Sequence, residues 1–345
     1  MKPIAIHDNN IGFTNRWIEY CERHSIPFIK VNCYESDIIE SLRHCSALMW
    51  HWNYANYKDS IFARQFLISI EGLNIRIFPD FWTTILFDDK LGQKYLFESY
   101  NIPIPKTDVF YEKDKAVTWA RNAEYPVVFK LRCGAGSQNV QLVRSFSKAK
   151  TLINKSFSSG FNYINKKQIL KDRFLKFLKF KSPASFMDFG KSAYRFVIPE
   201  YDGKFIQKEA GYVMFQEFLP ENTFDIRLIV LGNRCFGIRR FNRKNDFRAS
   251  GSGMIDYDHT QIDKRAVQTS FDVAKKLGTR LIALDFIFDQ QHIPVVTEMS
   301  YGFTVEAYDS CPGYWDAELH WHEGKQNLQY LMMEDLVSEI QNEGH

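Results

Sequence analysis

Over residues 1–90 short apolar runs alternate with amphipathic stretches. Ile4–His7 reads as a strand, and Phe13–His24 as a helix that keeps Trp17, Ile18 and Cys21 on one side. Pro27–Val31 and Ala47–Trp50 repeat the strand pattern, Tyr57–Ile70 the helical one, and Asn74–Phe78 gives a fourth strand before Pro79. Strands separated by helices predict a parallel sheet joined by crossovers. Such sheets hold ligands beyond the carboxyl ends of their strands, which marks His7–Asn10 and Trp50–Asn53, His51 among them, as a candidate ligand edge. Ordinary polar loops around a buried tryptophan are the competing reading.

The pattern then changes. Asp88–Tyr100 predicts a helix whose first turn carries Asp88 and Asp89, where carboxylates suit the helix dipole. Asn101-Ile-Pro-Ile-Pro105 is a stiff extended connector. Residues 107–145 predict a strand, a helix over Lys113–Asn122 and a hairpin around a glycine-rich turn. From 201 to 300 strands dominate, with one long helix, Asp263–Leu277, ended by Gly278. Segment 157–200 breaks this plan. Within it Lys166–Lys181 sets Leu170, Phe174, Phe177 and Leu178 at helical spacing and carries seven Lys and Arg. Such a basic amphipathic helix lies either on anionic lipid or on the protein's own surface, its lysine stems spread over apolar neighbours.

Composition narrows the class. A chain of 345 residues can bury two or three subdomain cores, and 45% hydrophobic with 25% charged residues is a globular balance. A formal charge of +3 is too small to point to nucleic acid. The six cysteines form no Cys-x-x-Cys pair, which argues against a zinc ribbon or a disulfide scaffold. The first residues turn polar too quickly for a signal peptide, and no segment nears the roughly eighteen apolar residues of a membrane span. The expectation is a reduced, cytoplasmic protein.

Several residues carry chemistry. Lys130 ends an apolar strand and Gly134-Ala-Gly136-Ser137 follows, an arrangement that lets an ammonium and backbone N–H groups close on phosphate. Asp225 enters the apolar strand Phe224–Val230, a poor place for a carboxylate unless it faces a cleft, and Arg227, next in phase, is its candidate ion partner. Arg240 and Arg248 stand in a basic run among small residues, Ser250 included. Asp285 lies inside Leu281–Phe288 and Glu298 ends Pro294–Glu298, so two lone acids thirteen residues apart fit a shared hard cation. His320 and His322 lack a third spaced ligand, which makes zinc a poor fit. Tyr301, Tyr314, Trp315 and His322 supply aromatic surface for a flat polar ligand, with an aromatic core as the equal alternative.

In this order, Lys130 with its glycine turn, Gln216-Glu-Phe-Leu219, Asp225-Ile-Arg227, Asp246-Phe-Arg248-Ala-Ser250, Asp285 and Glu298 resemble the ATP-grasp ligases over residues 80–305. The resemblance is nearest to the branch of ribosomal-protein glutamate-adding ligases. It implies an α/β and α+β architecture, an ATP-grasp fold preceded by a Rossmann-like parallel α/β domain. The implied boundaries are a first domain at 1–85 and a small glycine-loop subdomain at 86–145. That subdomain continues to about 219 with a basic insertion at 157–200, and a metal and acceptor subdomain follows at 220–345.

The resemblance also implies roles. Lys90 and Lys130, with Gly134, Gly136 and Ser137, would hold ATP phosphates, although Lys94 one turn on competes with Lys90. Gln216, Glu217, Phe218 and Leu219 would line the adenine edge and Asp225 the ribose. Asp285, Glu298 and Ser300 would hold one or two Mg²⁺ ions, with Ser300 standing where the family has asparagine. Arg248, with Lys130, would be catalytic, steadying an acyl phosphate. His51, Arg227, Arg240, Ser250, Tyr301, Tyr314, Trp315 and His322 are candidate substrate contacts. The implied reaction joins a carboxylate to an amine at the cost of ATP, with no nucleic acid involved. A sugar acid of a surface-polysaccharide precursor and a peptide or amino acid are rival substrates, and peripheral membrane contact through 166–181 is a further expectation. A hydroxyl kinase and a non-catalytic ATP-binding module stay open, and oligomeric state is not legible.

Overall fold

The computed structural model describes residues 1–9, 12–54, 56–134, 139–162, 169–171, 173–174, 177–178, 181–197, 208–243 and 246–343. The expected phosphate contacts Gly136 and Ser137 lie outside the described residues, as do 163–168 and other parts of the basic segment. The chain divides into two compact units. One comprises Met1–Asn53, Phe62–Ile104 and Leu219–His345, the other Tyr54–Ile61 and Pro105–Phe218.

The larger unit opens with β1 (Ile4–His7), β2 (Phe28–Val31), β3 (Ala47–Met49) and β4 (Arg76–Phe78). They form an all-parallel sheet in the order β2-β1-β3-β4, as strands separated by helices require. The helix Thr14–Arg23 buries Trp17, Ile18 and Cys21, the apolar side of its sequence pattern. Further on, the Asp89 carboxylate accepts from the Gly92 N–H and caps the helix Lys90–Ser99. That cap fixes where the helix starts, and the start places Lys90 in the interior.

The smaller unit is an antiparallel sheet of β5 (Thr107–Phe110), β6 (Val127–Lys130), β7 (Gln141–Val143) and β8 (Val213–Glu217), ordered β5-β8-β6-β7. The helices Lys113–Asn122 and Phe146–Ser156 cover it, and Ala116, Ala120, Phe129, Leu152, Ile153 and Phe215 form its core. The second helix begins at a Ser145 cap. Beyond it the chain is helical at the described positions of 169–178 and over Pro183–Val197.

The rest of the larger unit is a seven-stranded sheet. Its strands are β9 (Phe224–Leu231), β10 (Arg234–Phe241), β11 (Ile255–Asp256), β12 (Leu281–Phe288), β13 (Pro294–Ser300), β14 (Gly313–Trp315) and β15 (Trp321–Glu323). The order is β13-β12-β9-β10-β14-β15, with β11 beside β10. The helix Lys264–Leu277 packs on this sheet and ends at Gly278, whose φ of 62° is the left-handed turn that glycine adopts without strain. A terminal helix, Leu328–Glu343, follows the last hairpin. Among the described residues no helix is long and apolar enough to cross a membrane.

Candidate functional site

Strand register assembles the charged centre of the larger unit. Across β12 and β13, Asp285 stands opposite Glu298, with an irregularity just after Asp285. Across β9 and β12, Arg227 stands opposite Asp285, and across β9 and β10, Asp225 stands opposite Arg240. Each oxygen of Asp285 accepts from a different guanidinium, Oδ1 from Arg227 Nη1 and Oδ2 from Arg240 Nη2, both at 2.8 Å. Arg240 also holds Asp225 through two bonds of 2.7 Å. The expected ion partner of Asp225 is therefore corrected. Arg227 serves Asp285 and the Gly302 carbonyl, at 2.8 Å, because the cross-strand neighbour lies nearer than the residue two along the same strand.

Burial works against charge on both aspartates. On Asp225 it prevails over Arg240 and pushes the carboxyl up to about 6. On Asp285 the guanidiniums of Arg227 and Arg240 outweigh it, and the carboxyl stays below its ordinary range. Burial also disfavours charge on Arg240, but the two carboxylates keep it protonated.

Glu298 has a different partner. Lys90 Nζ lies 3.0 Å from it and 3.3 Å from Asp88, and the lysine is almost fully enclosed. Lys94, the competitor one turn on, is instead paired with Glu98 at 2.7 Å. Gln93 ties this helix to β13, donating to the Met299 carbonyl at 2.7 Å and accepting from the Met299 N–H at 2.9 Å. Neither Asp88 nor Gln93 was anticipated. The legible signal for Gln93 is its place three residues after Lys90, on the same helix side. The Ser300 hydroxyl is engaged locally with the Gly302 N–H (3.0 Å) and carbonyl (3.1 Å).

These donors set what a cation would meet. Glu298 is a partly open carboxylate whose remaining acceptor positions could take a hard divalent ion, in competition with the Lys90 ammonium beside it. Asp285 has spent one acceptor position of each oxygen and keeps the other, since a carboxylate offers about four. Among the described residues no group of three or more His, Cys, Asp or Glu stands where it could hold a metal ion by itself. Two carboxylates would leave the other ligands of any cation to come from outside the protein.

The remaining expected residues of this unit fall in several places. Leu219 is buried. Arg248 is clamped to Asp246 through Nε (2.9 Å) and Nη2 (2.6 Å), and the Ser250 carbonyl accepts from Arg243 at 3.3 Å. His51 stacks on Phe13 with ring centroids 4.0 Å apart, and its Nδ1 accepts the Phe13 N–H at 3.3 Å. Burial pulls it down to about 4, so the ring is neutral. Tyr301 is fully buried and donates to the Trp52 carbonyl at 2.6 Å, while Trp315 belongs to the core. Of the expected aromatic surface, Tyr314 and His322 remain accessible and stack at 5.0 Å, with His322 Nε2 2.7 Å from Asp316. The Cys311 thiol is buried and its ionisation is pushed up by that burial, as a packing thiol requires.

In the smaller unit Lys130 ends β6 opposite Met214 of β8, and Gly134 follows at φ 138°, a value closed to other residues without strain. Gln216, in β8, donates to the Thr107 hydroxyl at 2.9 Å, and Glu217 is its exposed end, with Phe218 next in the chain. Before the glycine turn, Arg132 binds Glu209 at 3.1 Å, and the Tyr212 hydroxyl accepts the Arg132 N–H at 2.6 Å and donates to Glu209 at 2.7 Å. No local pattern announces this triad, whose members are up to eighty residues apart.

This arrangement of a parallel sheet, a four-stranded antiparallel sheet and a larger antiparallel sheet has counterparts among solved structures. A RimK-domain ATP-grasp protein from Sphaerobacter thermophilus superposes with a TM-score of 0.57 at 12% identity, over 96% of this chain and 98% of that one. The chain has the ATP-grasp fold. D-alanine–D-alanine ligase from Bacillus anthracis, complexed with ATP, shares this ATP-grasp fold with a TM-score of 0.56 at 14% identity, over 100% and 99% of the two chains. In sequence, the alpha-aminoadipate–LysW ligase LysX of Saccharolobus solfataricus is 23% identical over 232 residues, 67% of either protein. No protein-family model matches the chain.

Proposed function

We propose that this ATP-grasp protein is an ADP-forming carboxylate–amine ligase. The observation that carries the reading is the register of Asp285 against Glu298 with Lys90 beside Glu298. The ligase names of the relatives support it. Lys130 and Gly134, with Gly136 and Ser137, would contact nucleotide phosphates, residues 216–219 the adenine and Asp225 the ribose. Asp285 and Glu298 would hold one Mg²⁺, which neutralises phosphate charge when bound, and the engaged Ser300 hydroxyl makes a second ion the poorer fit. The substrate carboxylate would attack the γ-phosphate, and the amine would then displace phosphate from the acyl phosphate to leave an amide. Lys130 and Arg248 would stabilise the charge that develops, and positioning with electrostatics suffices without an enzyme nucleophile. Arg227 and Arg240, steered by Asp285, and the neutral His51 would orient the carboxylate.

An amino-acid or peptide carboxylate is the preferred substrate class. The sugar-acid reading rests on Tyr314 and His322, since Tyr301 and Trp315 are interior. The test is ADP release with Mg²⁺-ATP and hydroxylamine, run with one pool of amino acids and one of uronic acids. Hydroxamate from a single pool establishes the ligase and its substrate class. A stable phosphoester without hydroxamate would replace the ligase by a kinase. Nucleotide binding without turnover in either pool would favour a binding module. Glu298→Gln should lower hydroxamate formation on the order of a hundredfold, as loss of a charge-stabilising group does.

A further inference from the structure

Charge is unevenly spread along this chain. Residues 166–197 hold nine Lys and Arg against two Asp, whereas the whole protein has a formal charge of only +3, so the remainder is net negative. The described residues of this segment are also unusually rich in uncovered apolar side chains. Phe186, Met187 and Tyr194 are 59%, 57% and 64% exposed, and Phe174 and Leu178 are 42% and 49% exposed. Their arrangement is regular. Phe174 and Leu178 are four residues apart on helical backbone with Lys171 one turn before, and Met187, Lys191 and Tyr194 follow at i, i+4 and i+7 along Pro183–Val197.

The two helical stretches also pack on each other, and the half-exposed Phe174 and Phe186 share in that packing, Phe186 meeting Phe177 with ring centroids 5.5 Å apart. Phe189 meets Phe174 and Phe177 with ring centroids 5.4 and 6.3 Å apart, and Arg173 pairs with Asp188 at 3.0 Å. Lys181, at φ 45°, turns the chain between them. What this leaves outward is bulky apolar residues interspersed with ammonium groups. Nucleic acid would use the charge and leave the aliphatic groups in water. A lipid surface with anionic headgroups takes both, apolar side chains at the acyl boundary and lysines against the headgroups.

We propose that the described residues between Lys171 and Val197 form a docking surface for an anionic lipid bilayer, seated by Phe186, Met187 and Tyr194 and held by Lys181 and Lys191. The proposal is independent of the ligase reading. The full chain is floated with phosphatidylcholine vesicles, with and without phosphatidylglycerol. Binding should require phosphatidylglycerol and weaken as salt rises. Replacing Phe186, Met187 and Tyr194 together by serine should reduce partitioning about tenfold or more. The pair Lys181→Glu and Lys191→Glu should do the same, with unfolding midpoints kept near that of the unmodified protein. Absence of vesicle binding, equal binding to neutral vesicles, or unchanged partitioning of either variant would overturn the proposal. So would a single-stranded oligonucleotide bound as tightly as the vesicles and insensitive to the serine triple substitution.

Discussion

Arg240 makes three charge-assisted hydrogen bonds, two to Asp225 and one to Asp285, in a setting that is almost wholly enclosed. Removing Arg240 leaves the buried Asp225 without its guanidinium and Asp285 with Arg227 alone, and loss of a buried ion partner costs about 3–5 kcal/mol. Arg240→Gln should therefore lower the free energy of unfolding by about that amount in urea titrations. A change below 1 kcal/mol or so would mean that water reaches the pair and that the centre is not a buried ion cluster. The acids themselves were legible in the sequence, because a lone Asp in Leu281–Phe288 has few explanations. Their partners were not. Local spacing offered Arg227 to Asp225, and only the registers of β9 with β10 and β12 reassigned the pairs.

At the scale of elements, several strongly patterned segments read correctly. The helix closed by Gly278 and the hairpin bringing Asp285 to Glu298 are the clearest cases. The helices Pro183–Val197 and Leu328–Glu343, by contrast, did not emerge from the pattern. The short helices Ile38–Leu42 and Phe81–Leu86 and the three-residue strands β14 and β15 span too few residues to display a period. Tyr314, Trp315 and His322 accordingly left ligand surface and aromatic core as equal readings, and the hairpin that holds them sends Trp315 into the sheet core. Gly237 of β10 shows how tight that core is. A β-carbon there would stand 2.7 Å from Leu228 Cδ2, 2.8 Å from Ile262 Cδ1 and 3.0 Å from Trp315 Cζ3. Gly237→Ala should destabilise by about 1–3 kcal/mol through overpacking. Gly190→Ala, with no atom within 4 Å of the added carbon, should instead stabilise its helix by up to about 1 kcal/mol. Urea titration of both variants checks the contrast, and equal effects of one sign would contradict the packing argument.

At the scale of the whole molecule, the parallel sheet carries a pH dependence. His7 ends β1 and His51 follows β3, and each uses Nδ1 to accept a backbone N–H, from Cys33 at 3.1 Å and from Phe13 at 3.3 Å. A proton on Nδ1 would break either bond, and burial pulls both imidazoles down to about 4 from an ordinary 6.5. The unfolded chain binds these protons first as pH falls. Their contribution is thus complete above about 6.5 and lost progressively toward 4, on the order of 3 kcal/mol for each histidine. Asp225 acts oppositely over an overlapping window. Its raised carboxyl takes up a proton in the folded state before the unfolded one does, which favours folding as pH drops below about 6. Asp285 titrates below the ordinary carboxylate range and stays out of this window. The net curve therefore mixes two signs, and asparagine at both histidine positions separates them because its side-chain oxygen can still accept the N–H. Unfolding free energies from neutral pH down to about 4 should fall in the unmodified protein and flatten or reverse in the double variant, where Asp225 acts without the histidines. An unchanged slope in that variant would place the acid sensitivity elsewhere and show that both rings accept their protons without leaving the fold.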